Sequence, residues 1–134
     1  MKHKHTMIII LLAFLFTTNL YAQAPVTELK DQYTKQEIQT LIHKFAKQYG
    51  VSETVMNHIV SKESGYNQYA LHKNDGKTGC DSRGLAQLNS CYMGKDIPDS
   101  LAYHPPYAID KLAYELKNGQ CKQWSTCPTK NTYQ

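Results

Sequence analysis

Residues 52–65 read SETVMNHIVSKESG, and this segment decides the fold. Ser52 is an N-cap residue, Val55, Met56, Ile59 and Val60 recur at helical spacing, and Gly65 supplies the C-terminal stop, so the spacing predicts an amphipathic helix. Glu63 lies three residues after Val60, four after Ile59 and seven after Met56, so it continues the apolar stripe instead of the wet face. Partial burial disfavours a charged carboxylate, and so do the exposed carbonyls of a helix's last turn. Both act to keep the acid protonated, which is what a general acid requires. Position alone also allows a plainer reading, a solvated residue at a frayed helix end.

Thr34 and Glu37 form a capping box. Ile38, Leu41, Ile42, Phe45, Ala46 and Tyr49 then define another amphipathic helix, which Gly50 ends. On the other side, Asn74-Asp75-Gly76 and Gly79 break helical periodicity and predict a small β-hairpin or ordered loop between Tyr66 and Ser82. Ser82 then reads as the cap of a short helix over Arg83 to Asn89, and Gly94 to His104 reads as irregular. Pro105-Pro106 opens a last long helix through Ile109, Leu112, Ala113 and Leu116, ending at Gly119. The expected fold is mainly α, an α+β helical domain with a minor β element beside the Glu63 helix.

The chain has 134 residues, enough for one domain. Lys2 and Lys4, the apolar run from Met7 to Phe16 and the small residues of Ala22-Gln23-Ala24 read as a secretory signal peptide over residues 1–22. The run is shorter than the roughly 18 residues that a membrane anchor needs. Residues 23–33 read as a flexible lead-in and 34–134 as the domain. Export places the protein in the periplasm or outside the cell, without stable membrane insertion. Losing Lys2 and Lys4 leaves 13 basic against 11 acidic residues, with Arg83 the sole arginine. Nucleic-acid binders present a concentrated basic face, so that function class is excluded. Cys80, Cys91, Cys121 and Cys127 are an even set in an exported chain and read as two disulfides. Three pairings are open; Cys80 with Cys91 and Cys121 with Cys127 closes the shortest loops. The intervals match no zinc pattern, and no metal or other cofactor is expected. Of the four histidines beyond the signal peptide, His43, His58, His72 and His104, the first two lie beside apolar helix positions and read as structural.

Glu63-Ser64-Gly65, Asn67 and Ala70, followed by Ser82-Arg83-Gly84-Leu85-Ala86-Gln87-Leu88, closely resembles the paired motifs of the soluble lytic transglycosylase family of the lysozyme-like superfamily. That pattern runs E-S-G-x-N-x-x-A and then S-x-G-L-x-Q-[IL], and the resemblance spans about Thr34 to Cys127. It implies that Glu63 is the catalytic acid, that Ser64 supports it, and that Gly84, Leu85 and Gln87 belong to a motif lining a glycan cleft. Gln87 would offer its amide to the sugar. It implies peptidoglycan strands as partner. A monomer is expected, and wall remodelling, a secretion or conjugation apparatus that needs a local gap, and attack on rivals would all use the same chemistry. Plain packing remains the alternative for Ser64, Gly84 and Leu85.

The sequence departs from the family in lacking a later A-Y-N triplet, whose tyrosine approaches the catalytic carboxylate. Tyr103, Tyr107, Tyr114 and Trp124 are the candidates to replace it, with Tyr107 and Trp124 as possible substrate contacts. Trp124 would either stack on a sugar face or pack beside a disulfide. Two rival functions stand beside a lytic transglycosylase. One is a hydrolytic lysozyme whose second carboxylate is Asp75 or Asp81. The other is a non-catalytic wall-binding or inhibitor domain.

Overall fold

The structure is a computed structural model that describes residues 30–128. The expected signal peptide and most of the lead-in lie outside the described residues. Helix α1 spans Lys35–Tyr49 and α2 spans Glu53–Ser64. Both are bounded as their sequences dictate. The Thr34 hydroxyl accepts from the Glu37 N–H while the Glu37 carboxylate accepts from the Thr34 N–H, and Ser52 accepts from Val55. Gly50 and Gly65 end the two helices in the left-handed conformation, at φ of 66° and 58°. Helix α1 packs against both α2 and the long helix α4, Pro105–Lys117, whose N1 position is a proline.

Ile38 and Ile42 from α1, Met56, Ile59 and Val60 from α2, and Ile109 and Leu112 from α4 are fully buried and form the core. Burial of each such side chain stabilises the fold by roughly 1.5–3 kcal/mol before chain entropy is set against it. The expected pairing of the cysteines is the one formed, Cys80 with Cys91 and Cys121 with Cys127.

Between α2 and α4 lies a three-stranded antiparallel sheet of two-residue strands: β1 (Leu71–His72), β2 (Ser82–Arg83) and β3 (Leu88–Asn89), in the order β1-β2-β3. The register pairs Leu71 with Arg83 and Arg83 with Leu88. This corrects the helix expected over Arg83 to Asn89. Ser82 begins a strand, and residues 84–87 are the turn of a β2–β3 hairpin, closed by the Gln87 N–H on the Gly84 carbonyl at 3.2 Å. A helix is impossible there because Gly84 and Gln87 both have positive φ, 72° and 49°. Gly84 lies so close to the backbone of Ala102 that a Cβ would fall 2.1 Å from its carbonyl oxygen.

The stretch expected to be irregular, Gly94 to His104, contains a short helix α3, Asp99–Ala102. Arg83 organises this region. Its buried guanidinium donates to the Ile97 carbonyl at 3.1 Å, to Asp99 Oδ1 at 2.6 Å and to the Gly94 carbonyl at 2.9 Å. Upstream, buried Gln68 accepts from the Tyr33 N–H at 2.8 Å and donates to the Asp31 carbonyl at 3.0 Å, which ties residues 31–33 to the domain.

Candidate active site

The last turn of α2, the β2–β3 hairpin and the C-terminal segment enclose a cleft of about 720 Å³. That volume lies within the range of small-ligand and substrate sites, roughly 300–1,000 Å³. Glu63 and Gln87 line it together with Asp75, Ser82, Asn89, Tyr92 and Met93, and Glu115, Gln123, Trp124 and Ser125 close the opposite side. Glu63 is half-buried, as its place on the apolar stripe of α2 dictates. One of its oxygens, Oε1, accepts a hydrogen bond from the Thr126 hydroxyl.

Gln87 is 4% exposed, and its carboxamide is fixed by two backbone carbonyls. Nε2 donates to Gly84 at 2.9 Å and to Ala70 at 3.3 Å, while Oε1 has no protein partner. These contacts spend the NH2 half of the amide expected to reach a sugar, and the acceptor oxygen is itself buried. The left-handed backbone of a non-glycine residue costs about 1–2 kcal/mol. The bonds from Gln87 Nε2 hold the turn in place against that strain.

The remaining polar wall is an ordered network. Ser82 Oγ donates to Asp75 Oδ2 at 2.5 Å, and Asn89 Nδ2 donates to Ser82 Oγ and to the Asp75 carbonyl, each at 3.2 Å. Of the two expected second carboxylates, Asp75 lines the cleft, whereas Asp81 accepts from the Asn74 N–H at 2.9 Å outside the lining. Glu115, which sequence reasoning did not single out, is a further carboxylate in the cleft. It pairs with Lys111 at 2.6 Å and accepts from Gln123 at 3.4 Å. It follows Leu112 by three residues and Ala108 by seven, so the stripe argument that selected Glu63 selects it too.

Trp124 is 3% exposed and donates its indole N–H to the Ala86 carbonyl at 2.6 Å. It is a wall of the cleft and not an open stacking platform. Ser64, Gly84, Leu85 and Tyr107 do not line the cleft. The Ser64 hydroxyl returns to the Val60 carbonyl at 3.0 Å, Leu85 is fully buried in the core, and Tyr107 packs against the core. Tyr114 is exposed and edges onto Tyr49. Tyr103 lines a separate hollow of about 350 Å³ with Tyr69, Gln68 and His104, where burial, and then the Asp99 carboxylate, hold its phenol above its ordinary pKa.

The family model of the transglycosylase SLT domain matches residues 40–110, more than half of the chain, and includes both Glu63 and Gln87. The chain belongs to this family. The SLT domain is lysozyme-like and cleaves glycosidic bonds in peptidoglycan, outside the cytoplasm, and two disulfides fit that setting. No curated protein and no solved structure matches the chain significantly. The SLT match ends before Glu115, Trp124 and Thr126, so the C-terminal wall of the cleft is formed by residues beyond it. Among the described residues, no helix is long and apolar enough to cross a membrane.

Proposed function

We propose that this protein is an exported lytic transglycosylase that cuts the β-1,4 bond between N-acetylmuramic acid and N-acetylglucosamine, with Glu63 as the acid. The observation that carries the reading is the placement of Glu63: half-buried, on the wall of the large cleft, with one oxygen held by Thr126. Glu63 gives its proton to the bridging oxygen as the bond from muramoyl C1 to that oxygen breaks. The resulting carboxylate then takes the proton of the muramoyl C6 hydroxyl as O6 bonds to C1. Glu63 ends protonated, water is not consumed, and the product carries a 1,6-anhydro ring. Gln87 and Asn89 supply polar contacts along the groove.

Mass spectrometry of fragments released from purified peptidoglycan tests the reaction. Anhydromuramoyl ends, one water lighter than reducing ends, are expected; reducing ends alone would overturn it. The hydrolytic reading keeps one specific support, since Asp75 and Glu115 line the cleft with Glu63, and a two-carboxylate mechanism needs a second acid there.

A further inference from the structure

We infer that Thr126 is the positioning residue for Glu63, presented by the disulfide-closed loop Cys121–Cys127. The inference deepens the assignment of Glu63 as the acid and rests on it.

The Glu63 side chain lies at the very end of α2, one residue before the last helical position and two before left-handed Gly65, where the helix itself offers little to fix a carboxyl. A general acid must present its proton from one oxygen in one direction. Thr126 Oγ1 donates to Glu63 Oε1, which leaves Oε2 as the oxygen to present the acid's proton. When that proton is given up, the same hydroxyl bonds the carboxylate that must act next as base. A β-branched threonine has a restricted χ1, which suits a fixed donor.

Thr126 is itself held on both sides. Cys127 is bridged to Cys121, its N–H donates to the Trp124 carbonyl at 3.0 Å, and the Trp124 indole is anchored on Ala86 at 2.6 Å. The bridged cysteines are six residues apart and close a short loop around Thr126. Cys121, Trp124, Thr126 and Cys127 all lie beyond residue 110, where the family match ends, while Ala86 lies within it. The other titratable side chains lining the cleft are Asp75 from the loop before β2, Tyr92 after β3 and Glu115 from α4, the last paired with Lys111.

The test compares wild type, Thr126→Val, Thr126→Ser and Glu63→Gln on purified glycan strands, with thermal melts to confirm folding. Wild-type cleavage that Glu63→Gln abolishes establishes the acid independently. Thr126→Val, which keeps the shape and loses the hydroxyl, is expected to lower kcat by about a hundredfold with KM little changed. Thr126→Ser is expected to restore kcat. A folded Thr126→Val with wild-type kcat overturns the inference, as does Thr126→Ser failing to recover. An inactive wild type, or an active Glu63→Gln, overturns the acid assignment and the inference with it.

Discussion

The indole N–H of Trp124 donates to the carbonyl of Ala86 at 2.6 Å, joining two segments 38 residues apart in the sequence. Ala86 is in the turn of the β2–β3 hairpin that carries Gln87, and Trp124 is in the loop that carries Thr126. One buried bond therefore fixes the spacing between two walls of the cleft.

Trp124→Phe keeps an aromatic ring at this position but removes the donor, leaving the Ala86 carbonyl buried without a partner. The expected loss of stability in urea unfolding is about 1–3 kcal/mol. Trp124→Ala also opens a cavity and is expected to lose about 3–5 kcal/mol. Equal stability of wild type and Trp124→Phe would show that the bond contributes nothing to the folded state.

Gly84 and Gly65 separate two reasons for a glycine. Both have positive φ, but a Cβ on Gly65 would meet nothing within 4 Å, whereas one on Gly84 would meet the Ala102 carbonyl oxygen at 2.1 Å and its carbon at 3.1 Å. Gly65→Ala is expected to cost only the backbone penalty, about 1–2 kcal/mol. Gly84→Ala adds steric overlap with a backbone that cannot rotate aside, of order 1–3 kcal/mol more. Chemical denaturation of the two variants reads the difference directly; equal losses would mean that the hairpin can move away from α3.

The contrast also shows what was legible in the chain. Both helix caps, the Glu63 stripe and the long C-terminal helix follow from local spacing, because capping and amphipathicity are decided within a few residues. Ser82 misled because a serine before a short polar-apolar run looks like a cap, while the positive φ of Gly84 and Gln87 depends on α3 and on the Ala70 carbonyl. The buried role of Arg83 depends on carbonyls 11 and 14 residues away. Thr126 reaches Glu63 across 63 residues, a distance over which no spacing rule operates. Glu115, by contrast, was accessible to the argument applied to Glu63.

The capping box makes a pH-dependent prediction. The Lys30 ammonium, then the Thr34 N–H and hydroxyl, hold the Glu37 carboxyl down at about 2, against an ordinary value of 4.5. Because the folded value is the lower one, the contribution is fully present above about 4.5 and is lost as the pH falls from there toward 2. Glu37→Gln cannot titrate, so the melting difference between wild type and variant is expected to shrink across that window. A difference independent of pH would exclude ionised Glu37 as the cause.

The two disulfides are expected to differ in what they control. Chain-entropy arguments assign about 2 kcal/mol to the Cys121–Cys127 loop and about 3 kcal/mol to Cys80–Cys91. A Cys121→Ser, Cys127→Ser double variant is expected to lose less stability than Cys80→Ser, Cys91→Ser, yet to lose more activity, since it loosens Thr126 and Trp124. Unfolding and glycan-cleavage assays on the two variants decide it, and activity that simply tracks stability would refute the distinction.

Asp75 decides how many carboxylates the cleft uses. It accepts from Ser82 Oγ at 2.5 Å, and an asparagine oxygen can accept the same bond, so Asp75→Asn leaves this part of the wall intact while removing the charge. Glu115 is already committed to Lys111 and Gln123, and Glu115→Gln is expected to act mainly on stability by leaving a half-buried ammonium without its counter-charge. If Glu63 serves as acid and then base, Asp75→Asn keeps its activity within about tenfold and still yields anhydro ends, whereas Glu63→Gln loses the general-acid contribution of about 10²–10⁴. A loss in Asp75→Asn as deep as that in Glu63→Gln, with reducing ends among the wild-type products, would instead make Asp75 the second acid of a hydrolase. Measuring rate and product mass on the same digests separates the two cases, because a merely loosened loop would lower the rate without changing the chemistry of the product end.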